Sequence, residues 1–296
     1  MFSAARRAAT LAILTLQPTY VGFDMRDDGT LIVAIPSNGG LVIASDSRLS
    51  VESSFCDGVE KFIELQRPER LLLFVTGRRG FWPASITIAP DPCTFIKTNS
   101  REFDFGETAK AYIENFSGRP SELDLKSLSD HCIKALTTYI GEHPYRLNGM
   151  SVTSSLTLAS FDIETSTYQI NTIEFSTEMT SGGNISSKLI LDAKGSGDDE
   201  LAEPYVFGEL DYYQTHVHNR LKDEPIRQST RQFLSKAQKV GETSPQDAAD
   251  RAADMIEAAS RRTLVVPASS GIGGPVAVRL VGATARPSKL TISPPP

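Results

Sequence analysis

The chain has no long apolar run, no dense basic cluster and few cysteines, and each shortage removes a class of function. The apolar stretch Ala8 to Leu16 is about nine residues, whereas a membrane-spanning helix needs roughly 20. No later stretch is longer, so a membrane partner is not expected. A formal net charge of -6 over 296 residues, without a Lys/Arg run, gives no attraction to phosphate, so nucleic acid is not an expected partner either. The three cysteines, Cys56, Cys93 and Cys132, are irregularly spaced. They form neither a zinc pattern nor a disulfide framework; one disulfide is the maximum, and buried core thiols are the expectation. No P-loop, GxGxxG or G-x-S-x-G motif occurs. His216-x-His218 has no third ligand at a suitable spacing, so no metal and no cofactor are expected.

What is present is the composition of a soluble globular protein, 40% hydrophobic and 22% charged. Leu31 to Ile35 and Leu41 to Ala44 are continuously apolar and β-branched, and the turn residues Pro36-Ser-Asn-Gly-Gly40 separate them. They predict a hairpin covered on both faces. Leu71 to Thr76 is a third strand, ending at Gly77. Between Phe81 and Phe105 lie three prolines and no sustained period, which predicts a loop. Apolar residues at helical spacing predict helices over Phe105 to Phe116 and Leu125 to Ile140, the second capped by Ser127 or Ser129 and stopped at His143-Pro144.

Ser154 to Phe161 and Ser166 to Phe175 predict paired strands, and Leu189 to Leu191 another. Asp198 to Gln238 is polar and predicts helix in pieces. Ser244-Pro245-Gln-Asp247 opens a helix through Ala259, and Val276 to Val281 is a closing strand. Strands grouped around helices argue for a layered α+β domain rather than a βαβ repeat.

The stretch Gly29-Thr30-Leu-Ile-Val-Ala, followed by Ala44-Ser-Asp46-Ser-Arg48 and Asp57-x-x-x-Lys61-Phe-Ile, resembles the opening of proteasome β subunits and bacterial ATP-dependent threonine peptidases, a branch of the N-terminal nucleophile hydrolases. Val75-Thr-Gly77, Gly195-Ser196-Gly197 and Gly273-Gly274 resemble later segments of the same family. The resemblance runs from about Gly29 to Val281 and is looser after residue 80. It implies a four-layer αββα sandwich and cleavage between Gly29 and Thr30. Residues 1–29 would then be a removed propeptide or targeting segment, residues 30–282 the hydrolase domain, and residues 283–296 a Pro-rich flexible tail. It also implies a polypeptide substrate, a ring of identical subunits and a cytoplasmic location, and leaves open whether there is an unfoldase partner; export is the alternative if residues 1–18 act as a signal peptide.

The chemistry at those positions stands on physical grounds. A terminal threonine supplies a hydroxyl nucleophile and an α-amine titrating at about 7.7–8.0, suited to take the hydroxyl proton. A cation at Lys61 would lower that amine's pKa and Asp46 would orient the cation. Gly77 could offer its N–H to an oxyanion, Arg48 could brace Asp46, and the resemblance implies Ser196 near the amine. Leu49, Val59 and Val75 are expected to line a pocket for the residue before the cut and to give it an apolar preference; Arg79 could instead favour acidic side chains. The family's aspartate shortly before the final glycine pair has no counterpart between Ala258 and Gly274; Ser269 or Ser270 could stand in for it. A non-proteolytic amidohydrolase and a catalytically silent structural subunit are the alternatives.

Overall fold

The computed structural model describes residues 30–51, 54–83, 85–86, 89–143, 153–177, 185–195, 198–208, 238–263 and 271–292. It is an α+β protein built on antiparallel sheets, with four α-helices among those residues. The apolar hairpin is β1 (Leu31–Ser37) and β2 (Gly40–Ser45), and every residue of both strands is buried, as unbroken hydrophobicity requires. Gly40 closes the turn at φ +128°, where a Cβ would stand 2.4 Å from the Val281 carbonyl oxygen; only glycine lets the neighbouring strand come so near.

The chain then runs through β3 (Leu49–Val51), β4 (Ser54–Cys56), β5 (Phe62–Glu64), β6 (Leu71–Gly77) and β7 (Gly80–Phe81). Next come α1 (Pro92–Thr98), β8 (Phe103–Asp104), α2 (Phe105–Ile113) and α3 (Leu125–Glu142). The second half contains β9 (Thr153–Asp162), β10 (Thr167–Thr177), β11 (Ile185–Gly195), β12 (Tyr205–Gly208), α4 (Pro245–Thr263), β13 (Ala277–Gly282) and β14 (Ser288–Lys289). One five-stranded sheet has the order β12-β1-β2-β13-β14 and the other β11-β10-β9-β6-β5.

Three apolar clusters hold the two large sheets and α2, α3 and α4 together. Ile32, Ala34, Leu41 and Ile43 of the first sheet meet Leu72, Phe74, Ala159 and Ile170 of the second in one cluster. The opposite face of the second sheet packs on α2 and α3 through Leu73, Leu158, Phe105, Ile113 and Leu136. The opposite face of the first packs on α4, whose Ala248, Ala249, Ala252 and Ala259 let it lie close to Val33, Val42 and Ala44. Cys132 is buried in the second of these clusters, and burial pushes its thiol up to about 12, as expected of a core cysteine.

The structure differs from the sequence-based expectations in several places. The stretch read as a loop between Phe81 and Phe105 contains α1 and β8. Asp91 caps α1 by accepting from the Cys93 and Thr94 N–H groups, with Pro92 in the first turn. Cys56 and Cys93 form a disulfide rather than remaining thiols, joining β4 to α1 across a separation of 37 residues. Closing a loop of that length restricts the unfolded chain and contributes about 2–4 kcal/mol. Asp124, not Ser127 or Ser129, caps α3, by accepting from the Lys126 N–H. Within the polar stretch after Asp198, the described residues Tyr205–Gly208 are a strand on β1 rather than helix; residues 209–237 lie outside the described set. The stretch expected as a solvated tail supplies β14, and Leu290 and Ile292 pack against the α4 cluster.

Candidate active site

Thr30 stands immediately before β1 and is only 5% exposed. The hairpin register pairs Ile32 with Ser45, which sets Asp46 beside Leu31. The Leu31 N–H donates to Asp46 Oδ1 at 2.9 Å, and the Asp46 N–H donates to the Leu31 carbonyl at 3.2 Å. Lys61 precedes β5 of the other sheet, so nucleophile candidate and cation come from different sheets. Its Nζ donates to Thr30 Oγ1 at 3.0 Å, and the lysine is 7% exposed.

Asp46 is fully buried and also accepts from the Arg48 and Gly273 N–H groups, each at 3.2 Å. Burial pushes its carboxyl up to about 6, while the Lys61 charge and the three N–H donors pull the other way. The Arg48 guanidinium makes no hydrogen bond to Asp46; it pairs with Asp57, Nε to Oδ1 at 2.7 Å, and acts on Asp46 through its backbone N–H and by charge. The two C-terminal glycines permit this arrangement. A Cβ on Gly273 would lie 2.5 Å from Arg48 Cζ, and one on Gly274 2.7 Å from Ser47 Oγ.

Leu49, Val59, Val75, Gly77 and Arg79, read from the sequence as site residues, all line one small recess with Thr30 and Lys61. Gly77 ends β6 at φ +74°, and a Cβ there would meet the Thr153 carbonyl oxygen at 2.6 Å. The recess offers about 10 Å³, roughly the space of one water. Arg79 is held by Asp104, Nε to Oδ2 at 2.9 Å. Gly29, Ser196, Ser269, Ser270, His216 and His218 lie outside the described residues. Among those described, no group of three His, Cys, Asp or Glu side chains is placed to hold a metal, and no helix is long and apolar enough to cross a membrane.

Several residues of the site escaped the sequence reading. Nothing in the local sequence marks Gly273, one of a glycine pair, as a donor to Asp46. Glu60 and Arg101 complete the recess, and Glu60 lies beside Lys61 in sequence, the one available signal. A cleft of about 640 Å³ adjoins the recess through Val59, Glu60, Arg79 and Arg101. Its apolar lining includes Trp82 and Ile96, from the segment expected to be a loop.

No protein-family model matches the chain, and no curated protein does. Among solved structures, the chain is similar to Anbu (ancestral beta-subunit) from Yersinia bercovieri at 15% identity, over 88% of this chain and 87% of that one, with a TM-score of 0.45. It is also similar to an Anbu (Gly-1) mutant from Hyphomicrobium sp. strain MC1, at 14% identity over 88% and 87% of the two chains and a TM-score of 0.45. Another Anbu structure from that strain gives 14% identity, 88% and 86% coverage and 0.43. Likenesses this distant carry no argument about chemistry or assembly. They do correct the resemblance to proteasome β subunits and bacterial threonine peptidases read from the motifs: the similar structures are Anbu proteins, a family distinct from that branch, and no family model places the chain in it.

Proposed function

We propose that this chain is an amide hydrolase acting on peptide bonds, with Thr30 as its nucleophile once the Gly29–Thr30 bond has been cut. The observation that carries this reading is the buried contact between Lys61 Nζ and Thr30 Oγ1 at 3.0 Å, beside an Asp46 whose orientation three backbone N–H groups fix. In the reaction, Thr30 Oγ1 attacks the amide carbonyl and its proton passes to the freed α-amine. The amine then protonates the leaving nitrogen, and the acyl group rests as an ester on Oγ1. Water attacks the ester, releases the acid and restores the hydroxyl. Lys61 steadies the oxygen as its proton departs, and Asp46 offsets the buried cation.

The reading treats residues 1–29 as a removed segment. It takes the three apolar clusters as the interlayer cores of a four-layer αββα sandwich. An enclosing ring of identical subunits would shield other proteins from an open threonine site. Intact-mass measurement of purified active protein is expected to give a chain beginning at Thr30. Light scattering on the same material is expected to give a closed oligomer. Activity in a chain that keeps residues 1–29 would remove Thr30 as an N-terminal nucleophile; a fully active monomer would remove the ring.

The raised Asp46 pKa gives a pH expectation. Below about 6 the carboxyl is protonated and no longer offsets Lys61, so this group adds a further acid-side fall in kcat/KM near that value to the one caused by protonation of the α-amine. Stability moves the other way. From about pH 4 to 6 the folded state holds a proton that the unfolded state has released, so this group's contribution to stability falls as pH rises through the window. A flat rate profile down to pH 5 would exclude Asp46 from the mechanism.

A further inference from the structure

The 640 Å³ cleft is large enough for substrate, whereas the recess at Thr30 holds little more than a water. Resting on the amide-hydrolase reading, we propose that this cleft takes a lysine or arginine side chain of the substrate close to the bond that Thr30 attacks. Its floor is apolar: Val59, Trp82, Ile96 and Phe103 line it, the last three no more than 8% exposed. A long aliphatic stem suits such a floor, because lysine and arginine bury their methylenes while the charged head stays at a polar edge.

The charges separate by depth. The two guanidiniums in the wall, Arg79 and Arg101, have side chains only 17% and 8% exposed, and both bond to Asp104, at 2.9 and 3.1 Å. Arg101 also lies over the Trp82 ring, 4.4 Å from its centroid. These cations are committed inside the wall and neutralised in part there. The outward groups are carboxylates: Glu60 is 49% exposed and Glu107 59%. Glu60 meets Arg279 Nη2 at 3.0 Å, but that arginine is 5% exposed and does not line the cleft. Glu107 makes only a loose ion pair with Arg79 Nη2, at 3.9 Å, beyond hydrogen-bond distance. The exposed charges of the cleft are therefore mostly carboxylate, so a substrate cation meets negative charge there, while a substrate carboxylate would meet two glutamates and guanidiniums that already bond Asp104.

The wall is also built to last. Cys56, Trp82, Ile86 and Ile96 form one apolar cluster with Leu49, and the Cys56–Cys93 disulfide ties α1 to the strand beneath. The segment that makes the cleft is thereby fixed to the residues lining the Thr30 recess, as a selective subsite requires.

The test uses peptide amides that carry Lys, Leu or Glu at each of the three positions preceding the bond, assayed on the processed protein. At one of those positions Lys is expected to exceed Glu by about tenfold in kcat/KM, the scale of a partly buried ion pair. The ratio should shrink at high salt and fall further in Glu107→Gln. Fluorescence anisotropy with the same peptides on the full-length Thr30→Ala chain reads the cleft without turnover, and tighter Lys binding is expected. Equal binding of Lys and Glu peptides, tighter Glu binding, or a Lys preference untouched by Glu107→Gln overturns the proposal. Cleavage of the Leu peptide without any Lys preference would leave the hydrolase reading standing, whereas Lys-selective binding with no cleavage of any peptide would defeat only that reading.

Discussion

Thr30→Ala is expected to remain at full length and to hydrolyse no amide, a loss on the order of 10⁶ in kcat for removal of a catalytic nucleophile. The substitution removes Oγ1 and one methyl at the start of β1. It leaves Leu31, whose N–H holds Asp46, unaltered. The hydrogen bond from Lys61 Nζ is lost, which costs about 1 kcal/mol of folding stability. The apolar hairpin and its clusters are unaffected. Inactivity must therefore come with a near-native melting temperature. Thr30→Ser keeps the hydroxyl and the amine but loosens χ1, so it should process and turn over slowly. Intact mass and a peptide-amide assay on the two variants separate the outcomes. Cleavage between residues 29 and 30 in the alanine variant would show that the bond is cut by something other than Thr30.

Much of the scaffold could be read from local chemistry. Unbroken apolar runs around Pro36-Ser-Asn-Gly-Gly40 specify a hairpin with two covered faces, and β1 and β2 are buried throughout. Alanines and Ile256 at helical spacing specify the face that α4 lays on the sheet. The misreadings arose where distant parts of the chain decide. Three prolines suggested a loop after Phe81, yet Asp91-Pro92 is a good helix start, and a disulfide to Cys56 fixes the short helix in place. No spacing rule brings Cys56 and Cys93 together, because their approach depends on how β4 and α1 pack. Four prolines between Ala283 and Pro296 suggested a free tail, but edge pairing with β13 outweighs composition for Ser288–Lys289.

The site divides along the same line. Asp46 is set beside Leu31 by hairpin register alone, so its place follows from the sequence of two adjacent strands. Lys61 reaches Thr30 only because the two sheets meet face to face, a contact between elements that no local pattern encodes. The third donor to Asp46, the Gly273 N–H, comes from 227 residues away in sequence. What a glycine pair signals in isolation is close approach; what it approaches is decided by tertiary packing, here Arg48 and Ser47.

Lys61→Met tests that cross-sheet contact most directly. Methionine nearly matches the lysine stem in volume and tolerates an apolar environment, so it should fill the site without leaving a cavity. The ammonium, and with it the hydrogen bond to Thr30 Oγ1, disappears. Asp46 then loses the charge that opposes its burial, so its carboxyl should rise further and remain protonated at neutral pH. A neutral Asp46 costs less than an unpaired buried carboxylate, and the Leu31 N–H can still donate to Oδ1. Stability should therefore change by no more than about 1–2 kcal/mol, in contrast to a variant that strands a buried charge. Catalysis has no such compensation. With no cation beside Oγ1, kcat should fall by about 10²–10⁴, with KM little altered because Lys61 acts on the reacting oxygen. Lys61→Arg should not rescue it, since a planar guanidinium cannot take the place of a compact ammonium in so small a recess. A Lys61→Met protein that melts like wild type and keeps more than a tenth of its kcat would make the 3.0 Å contact a structural hydrogen bond and nothing more.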